Sequence, residues 1–295
     1  EFRLGAALYD AKLAFALNSP LSRAEIKTRA LAEMTSLRAA MYDISAKFLA
    51  GKPNAPPTPA NPTEAQRQAA IEAALEYAYA KKPARTKLVE AAEACLVQAT
   101  AFVREKNIVT VPSDPVKIGL VPEFQRGVAV AYCDAPGPLD KGQQTYYKIS
   151  PIPDDWTDAQ ADSFLREYNS LGIQEVTVHE AMPGHYLQLA HANAYPSVLR
   201  AVLSSGPFVE GWACYAEDVM ADEGYLDRDP LYLLVHVKLQ LRVCANALLD
   251  QAVHVDNISR EDAMKLMTVQ AFQQEREAAG KWVRAQLSQA QLPTY

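Results

Sequence analysis

The sequence predicts a mainly α-helical fold with one small inserted β-sheet. Two observations carry this. Apolar residues recur at spacings of three and four in the first third and again from about residue 157 onward, which is the period of a helix face. Between these regions lie short β-branched or aromatic runs cut by Pro, Gly and Asp, the pattern of short strands.

Taken in order, Ser22 to Leu49 sets Ile26, Ala30, Met34, Leu37, Met41 and Ile44 on one helix face, and Ser22 with Glu25 has capping-box spacing. Pro53, Pro56, Pro57, Pro59 and Pro62 then forbid a helix, so Gly51 to Pro62 is a surface loop. Thr63 with Gln66 opens a helix to about Lys81, and another runs from about Ala84 to Asn107. Three or four strands are expected among 108–111, 116–120, 127–133 and 145–149. In the third, Val128, Val130 and Tyr132 alternate with Ala129, Ala131 and Cys133, and such a small face admits close approach by a helix or a substrate. Helices are expected at 157–170, 172–182, 185–194, 196–203, 207–223, 230–254, 259–278 and 280–289. An N-terminal helical region, 1–107, and a region of sheet plus motif-bearing helices, 108–295, are expected to form one continuous domain.

Composition narrows the function. With 49% apolar and 22% charged residues, the chain of 295 residues can bury a sizeable core. Lys and Arg number 29 against 35 Asp and Glu, net −6, which argues against a nucleic-acid partner. No apolar run approaches 18 residues, so no membrane-spanning segment is expected. Cys95, Cys133, Cys214 and Cys244 are scattered, without C-x-x-C, and read as buried thiols. The start, Glu1-Phe2-Arg3, shows no signal peptide, and the compartment stays open between periplasmic or secreted and cytoplasmic.

The chemistry concentrates in His179-Glu180-Ala181-Met182-Pro183-Gly184-His185. Two imidazoles facing one point, with a carboxylate beside them, are what a hydrolytic zinc site needs. On an unbroken helix these histidines would diverge by about 120° at roughly 100° per residue. Pro183 cannot continue the helix and Gly184 permits unusual backbone angles, so two residues can loop out and return His185 beside His179. The competing reading is a kinked helix with two incidental histidines. A third ligand is offered by Glu210, a carboxylate among apolar residues with Gly211 beside it to allow close helix packing; its competing reading is a salt bridge. Glu217, seven residues on, can orient a histidine. Arg242, Asn246, Asp250 and His254 share one helix face, either as a buried polar network or as a functional stripe. His191 and His236 read as structural.

The run His179 to Gln188, followed by Glu210-Gly211-Trp212-Ala213 and Tyr215-Ala216-Glu217, resembles the bacterial domain-of-unknown-function family 885 (DUF885). Glu167-Tyr168-Asn169, Arg242, Asp250 and His254 match the same pattern. That family is similar to the helical zinc peptidases such as neurolysin and angiotensin-converting enzyme, with two residues inserted between the motif histidines. The resemblance implies a zincin-like fold and one zinc ion held by His179, His185 and Glu210, with Glu180 as base. It also implies that this chain is the C-terminal half of a longer protein.

The expected function is therefore a zinc-dependent metallopeptidase acting on a peptide. Glu180 and His254 are its catalytic groups, His254 donating to an oxyanion with Asp250 orienting it. Arg242 would grip a substrate carboxylate, and Tyr132 and Tyr147 would line a cleft beside the Gly127–Cys133 strand. Alternatives are a non-catalytic helical scaffold or a metal hydrolase of a non-peptide amide or ester.

Overall fold

The computed structural model describes residues 2–126, 129–140 and 142–295. Helices α1 (Ala6–Leu17), α2 (Arg23–Leu49), α3 (Glu64–Tyr79) and α4 (Leu88–Lys106) precede strands β1 (Lys117–Leu120), β2 (Ala131–Asp134) and β3 (Tyr146–Ile149). Then follow α5 (Asp158–Glu167), α6 (Ser170–Glu180), α7 (His185–Ala194), α8 (Val198–Val202), α9 (Gly206–Asp222), α10 (Pro230–His254), α11 (Arg260–Lys265) and α12 (Glu275–Leu287). The fold is mainly helical with a three-stranded sheet, as the periodicity predicts. Both capping boxes form: Ser22 with Glu25 opens α2, and Thr63 with Gln66 opens α3. Each satisfies backbone N–H groups that the helix cannot.

Three local expectations fail for physical reasons. Residues 108–111 form no strand, because α4 ends on Asn107 in the left-handed region and the Ile108 N–H turns back to the Val103 carbonyl at 3.2 Å. The helix expected over 259–278 breaks. α11 passes into a π-helical turn, Leu266–Gln270, and Phe272 adopts a φ of 54°. α12 then runs straight through Gly280, the expected break, where an added Cβ would meet nothing within 4 Å. Gly127 and Val128 of the expected third strand lie outside the described residues; the strand itself is Ala131–Asp134.

The chain divides into two units interleaved in sequence. The first comprises residues up to Lys82, Asp162–Leu171 and Arg228–Tyr295. Its centre is α10, packed chiefly on α2. Leu249 and Val253 join Ala263, Met267, Ala278, Ala285 and Leu292 in one core cluster. α10 is long and apolar enough to cross a membrane by length and composition, but 61% of that stretch is buried within the protein and it carries the buried Lys238. It is a core helix.

The second unit comprises Pro83–Ala161 and Gly172–Asp227 and holds the sheet. β3 is central, parallel to β1 and antiparallel to β2. β2 is thus an edge strand, with Tyr132 opposite Lys148 and Cys133 opposite Tyr147.

Candidate metal centre

The centre is built where α6 stops and α7 starts. The Ala181 N–H bonds the Thr177 carbonyl at 2.9 Å in the usual helical way. The Met182 N–H then also reaches back to Thr177, at 3.2 Å, and the Gly184 N–H spans six residues to Val178, at 2.9 Å. Regular bonding resumes with Gln188 N–H to Gly184 at 3.0 Å. The two extra residues loop out, and the Met182–Pro183 peptide is cis. The Pro183 carbonyl, outside the helix ladder, accepts the Trp212 Nε1–H of α9 at 2.9 Å. Gly184 is required here: an added Cβ would lie 1.8 Å from the His179 carbonyl oxygen.

The loop returns His185 beside His179, with ring centroids 4.7 Å apart and planes at 84°. α9 brings Glu210 to both. Its Oε2 lies 3.6 Å from His179 Nε2 and 3.5 Å from His185 Nε2. These separations exceed hydrogen-bond distance, and Glu210 Oε2 is buried without a hydrogen-bond partner. Ligand atoms about 2.05 Å from a tetrahedral ion sit about 3.3 Å apart, so these two separations and the N, N, O donor set are compatible with a zinc-like cation. One helical turn pair further on, Glu217 Oε1 contacts His179 Nδ1 at 2.6 Å, leaving Nε2 to face Glu210. A carboxylate on the far nitrogen of a histidine is the usual orienting partner of a metal ligand.

Glu180 has its own support. Its Oε2 accepts the backbone N–H of Cys133 at 3.0 Å, so the outer edge of β2 holds this carboxylate. Ligand atoms of His179, Glu180 and His185 all lie within 4.8 Å of one another. Glu210 Oε2 lies nearer, at 3.5–3.6 Å from both imidazoles, so two carboxylates flank the histidine pair. The Cys133 contact was not anticipated, because its donor is a backbone N–H. Gly211, by contrast, makes no close packing contact.

Electrostatics follow the packing. Burial raises the Glu180 carboxyl above the ordinary range, and the neighbouring imidazoles only partly oppose this. Burial would raise Glu210 as well, but the two imidazoles hold it down to about 2. Burial would lower His179, yet Glu210 and Glu217 together raise it to about 10. The carboxylates thus create a strong demand for positive charge at this point.

The whole chain, residues 1–295, matches the family described as "Bacterial protein of unknown function (DUF885)". The chain belongs to this family. It is similar to a solved structure described as a candidate lipoprotein of unknown function from Shewanella oneidensis, at 36% identity and a TM-score of 0.83, covering 100% of this chain and 52% of that one. A candidate lipoprotein from Colwellia psychrerythraea shares the fold, at 22% identity and a TM-score of 0.77, covering 97% of this chain and 46% of that one. This DUF885 chain therefore spans about half the length of the structures it matches. No curated protein matches it significantly.

Other expected site residues of the DUF885 chain are placed differently. Tyr147 is buried beneath the sheet with its hydroxyl 3.3 Å from Thr177 Oγ1, so it lines no cleft. Tyr132 is on the edge strand, its hydroxyl bonded to Gln125 at 2.7 Å. His254 is buried in the first unit, and its Nε2 faces the carbonyls of Ala285 at 2.8 Å and Ser288 at 3.0 Å. It therefore has no donor aimed at an oxyanion. Asp250 does not orient it: their closest contact is 3.9 Å, and Asp250 accepts the Tyr9 hydroxyl instead. The stripe is a buried polar network. Arg242, on the same helix, faces Glu277 at 3.7 Å.

Proposed function

We propose that this protein is a zinc-dependent peptidase whose ion is held by His179 Nε2, His185 Nε2 and Glu210. The observation that carries the reading is the orphaned, buried Glu210 Oε2 at 3.5–3.6 Å from both imidazoles. Zinc bound there would supply Lewis acidity and lower the pKa of a water to about 7. Glu180 takes the proton of the attacking water and passes it to the leaving amine. Its raised pKa brings it nearer the working pH of a general base. The Cys133 N–H keeps one carboxylate oxygen fixed during both transfers. Glu217 holds His179 in the tautomer that presents Nε2. An extended peptide would pair with the β2 edge through main-chain groups other than the Cys133 N–H, which Glu180 takes. The likeness to a candidate lipoprotein supports an extracytoplasmic or membrane-attached location for the whole protein.

Elemental analysis of protein purified without chelator tests the ion, with about one zinc per chain expected. Glu180→Gln should keep the zinc and, in the full-length protein, cut peptide hydrolysis by on the order of 10²–10⁴. Glu210→Gln should lose zinc. Full zinc with unchanged hydrolysis in Glu180→Gln would end the peptidase mechanism, and hydrolysis only of non-peptide amides or esters would redirect the substrate.

A further inference from the structure

Helix α7 begins at His185 and carries two polar atoms that the metal reading leaves unexplained. Of its polar side chains, Tyr186, His191 and Asn193 each reach a backbone carbonyl, those of Asp114, Thr110 and Pro136. The other two are His185 and Gln188, each 8% exposed. His185 Nδ1 and Gln188 Oε1 are both buried, and among the described residues neither has a hydrogen-bond partner. A buried polar atom left unpaired is costly, and here two stand on one short helix.

Their positions suit each other. Residues three apart on a helix are neighbours, with Cβ atoms about 5–6 Å apart. A helical side chain leans toward the N-terminus, so Gln188 covers the turn that starts at His185. The atoms are also complementary in kind. A histidine that gives its Nε2 lone pair to a cation carries its proton on Nδ1 and donates there, whereas an amide oxygen accepts. Glu217 already takes this part for His179, with a carboxylate. Glu210 and Glu217 bring two negative charges to a divalent ion, so a neutral acceptor at the second histidine adds orientation without adding charge.

We infer that Gln188 is the positioning residue of His185, its Oε1 taking the Nδ1–H so that Nε2 stays turned toward Glu210. This rests on the zinc reading above and adds the group that fixes the tautomer and ring plane of one ligand. The bond forms when the ion takes the Nε2 lone pair, because only then is the proton fixed on Nδ1.

The test is a zinc titration of chelator-treated protein against a competing chromophoric chelator. No binding by wild type would remove the metal reading and this inference with it. Given binding, Gln188→Met, close in shape and without an acceptor, should weaken zinc about 10–100-fold. Gln188→Glu keeps an acceptor and should match or exceed wild-type affinity. A packing role would show the reverse order, with Met retaining zinc and Glu losing it. That order, or equal affinity in all three, would overturn the role of Gln188 and leave the zinc reading standing. Nuclear magnetic resonance of protein labelled with ¹⁵N-histidine gives a readout that packing alone would not move. Zinc-loaded wild type should show two zinc-dependent ring N–H signals in slow exchange with water. Glu217→Ala should lose that of His179 and Gln188→Met that of His185. Should the variants fail to fold, the wild-type spectrum decides alone, and a single zinc-dependent ring N–H would refute the inference.

Discussion

At Gly184 the backbone itself crowds the α-carbon, with the carbonyl oxygens of Val178 and His179 at 2.3 and 1.8 Å from where a Cβ would stand. No side-chain rotation relieves a clash with backbone. Gly184→Ala should therefore open the loop that brings His185 to His179, and zinc content should fall well below one per chain while helix content by circular dichroism stays close to wild type. Retained zinc in a folded variant would mean that the loop tolerates other paths. Glu217 makes a finer test. It touches His179 Nδ1 and not the candidate ion, so Glu217→Ala should weaken zinc about 10–100-fold in a competition titration without abolishing it. An unchanged affinity would make Glu217 a packing residue. The approach of His179 and His185 was legible in the sequence because a proline–glycine break is a local feature, whereas Glu210 and Glu217 were reached by counting ligands and through the family resemblance. The Cys133 N–H was not legible, since a backbone donor carries no residue-type signature and its partner is 47 positions away.

Among the elements, α1 is tied to α10 through a buried carboxylate. Tyr9 donates to Asp250 Oδ2 at 2.9 Å and stacks on His254, and the Gly5 N–H bonds the His254 carbonyl at 2.9 Å. Burial pushes Asp250 up to about 6, against the opposing pull of the Tyr9 hydroxyl and of His254. A carboxyl raised on folding holds its proton more tightly in the native state. Its stabilising contribution is complete below about pH 4, the unfolded value, and is lost as pH rises through about 6. Asp250→Asn keeps an acceptor for Tyr9 and removes the buried charge. It should raise stability at pH 7.5 by on the order of 2 kcal/mol and leave it nearly unchanged at pH 4, as read by urea denaturation. A loss at pH 7.5 would show that the charge, not the hydrogen bond, holds α1. This network also explains what sequence could and could not tell at this scale. The four-residue stripe of Arg242, Asn246, Asp250 and His254 identified a shared face, but periodicity does not say whether solvent or α1 meets that face. α1 itself was missed because only Tyr9 and Leu13 of its apolar residues are buried, too few to mark a stripe. The capping boxes of α2 and α3 were legible in full, because every atom of a cap lies within four residues.

For the molecule as a whole, the candidate ligands come from α6, α7 and α9, and all lie in the second unit. The first unit has its own apolar cores along α10 and contributes no proposed ligand. Zinc that binds only the folded site stabilises it by RT ln(1 + [Zn]/Kd), about 4 kcal/mol at a thousandfold excess over Kd. That energy enters where the ligands are. Without the cation, the carboxylates draw protons onto the imidazoles instead, so the demand for positive charge is met less well and in a pH-dependent way. Removing zinc with a chelator should therefore speed amide hydrogen exchange in α6, α7 and α9, most of all around residues 179–185 and 210–217. Exchange along α2 should change little, because its packing involves no proposed ligand. Equal acceleration in both units would mean that they unfold as one cooperative body, and the metal would then act on the whole chain. No acceleration anywhere would mean that the three side chains hold their places without an ion, and the reading of Glu210 as a ligand would fall with it.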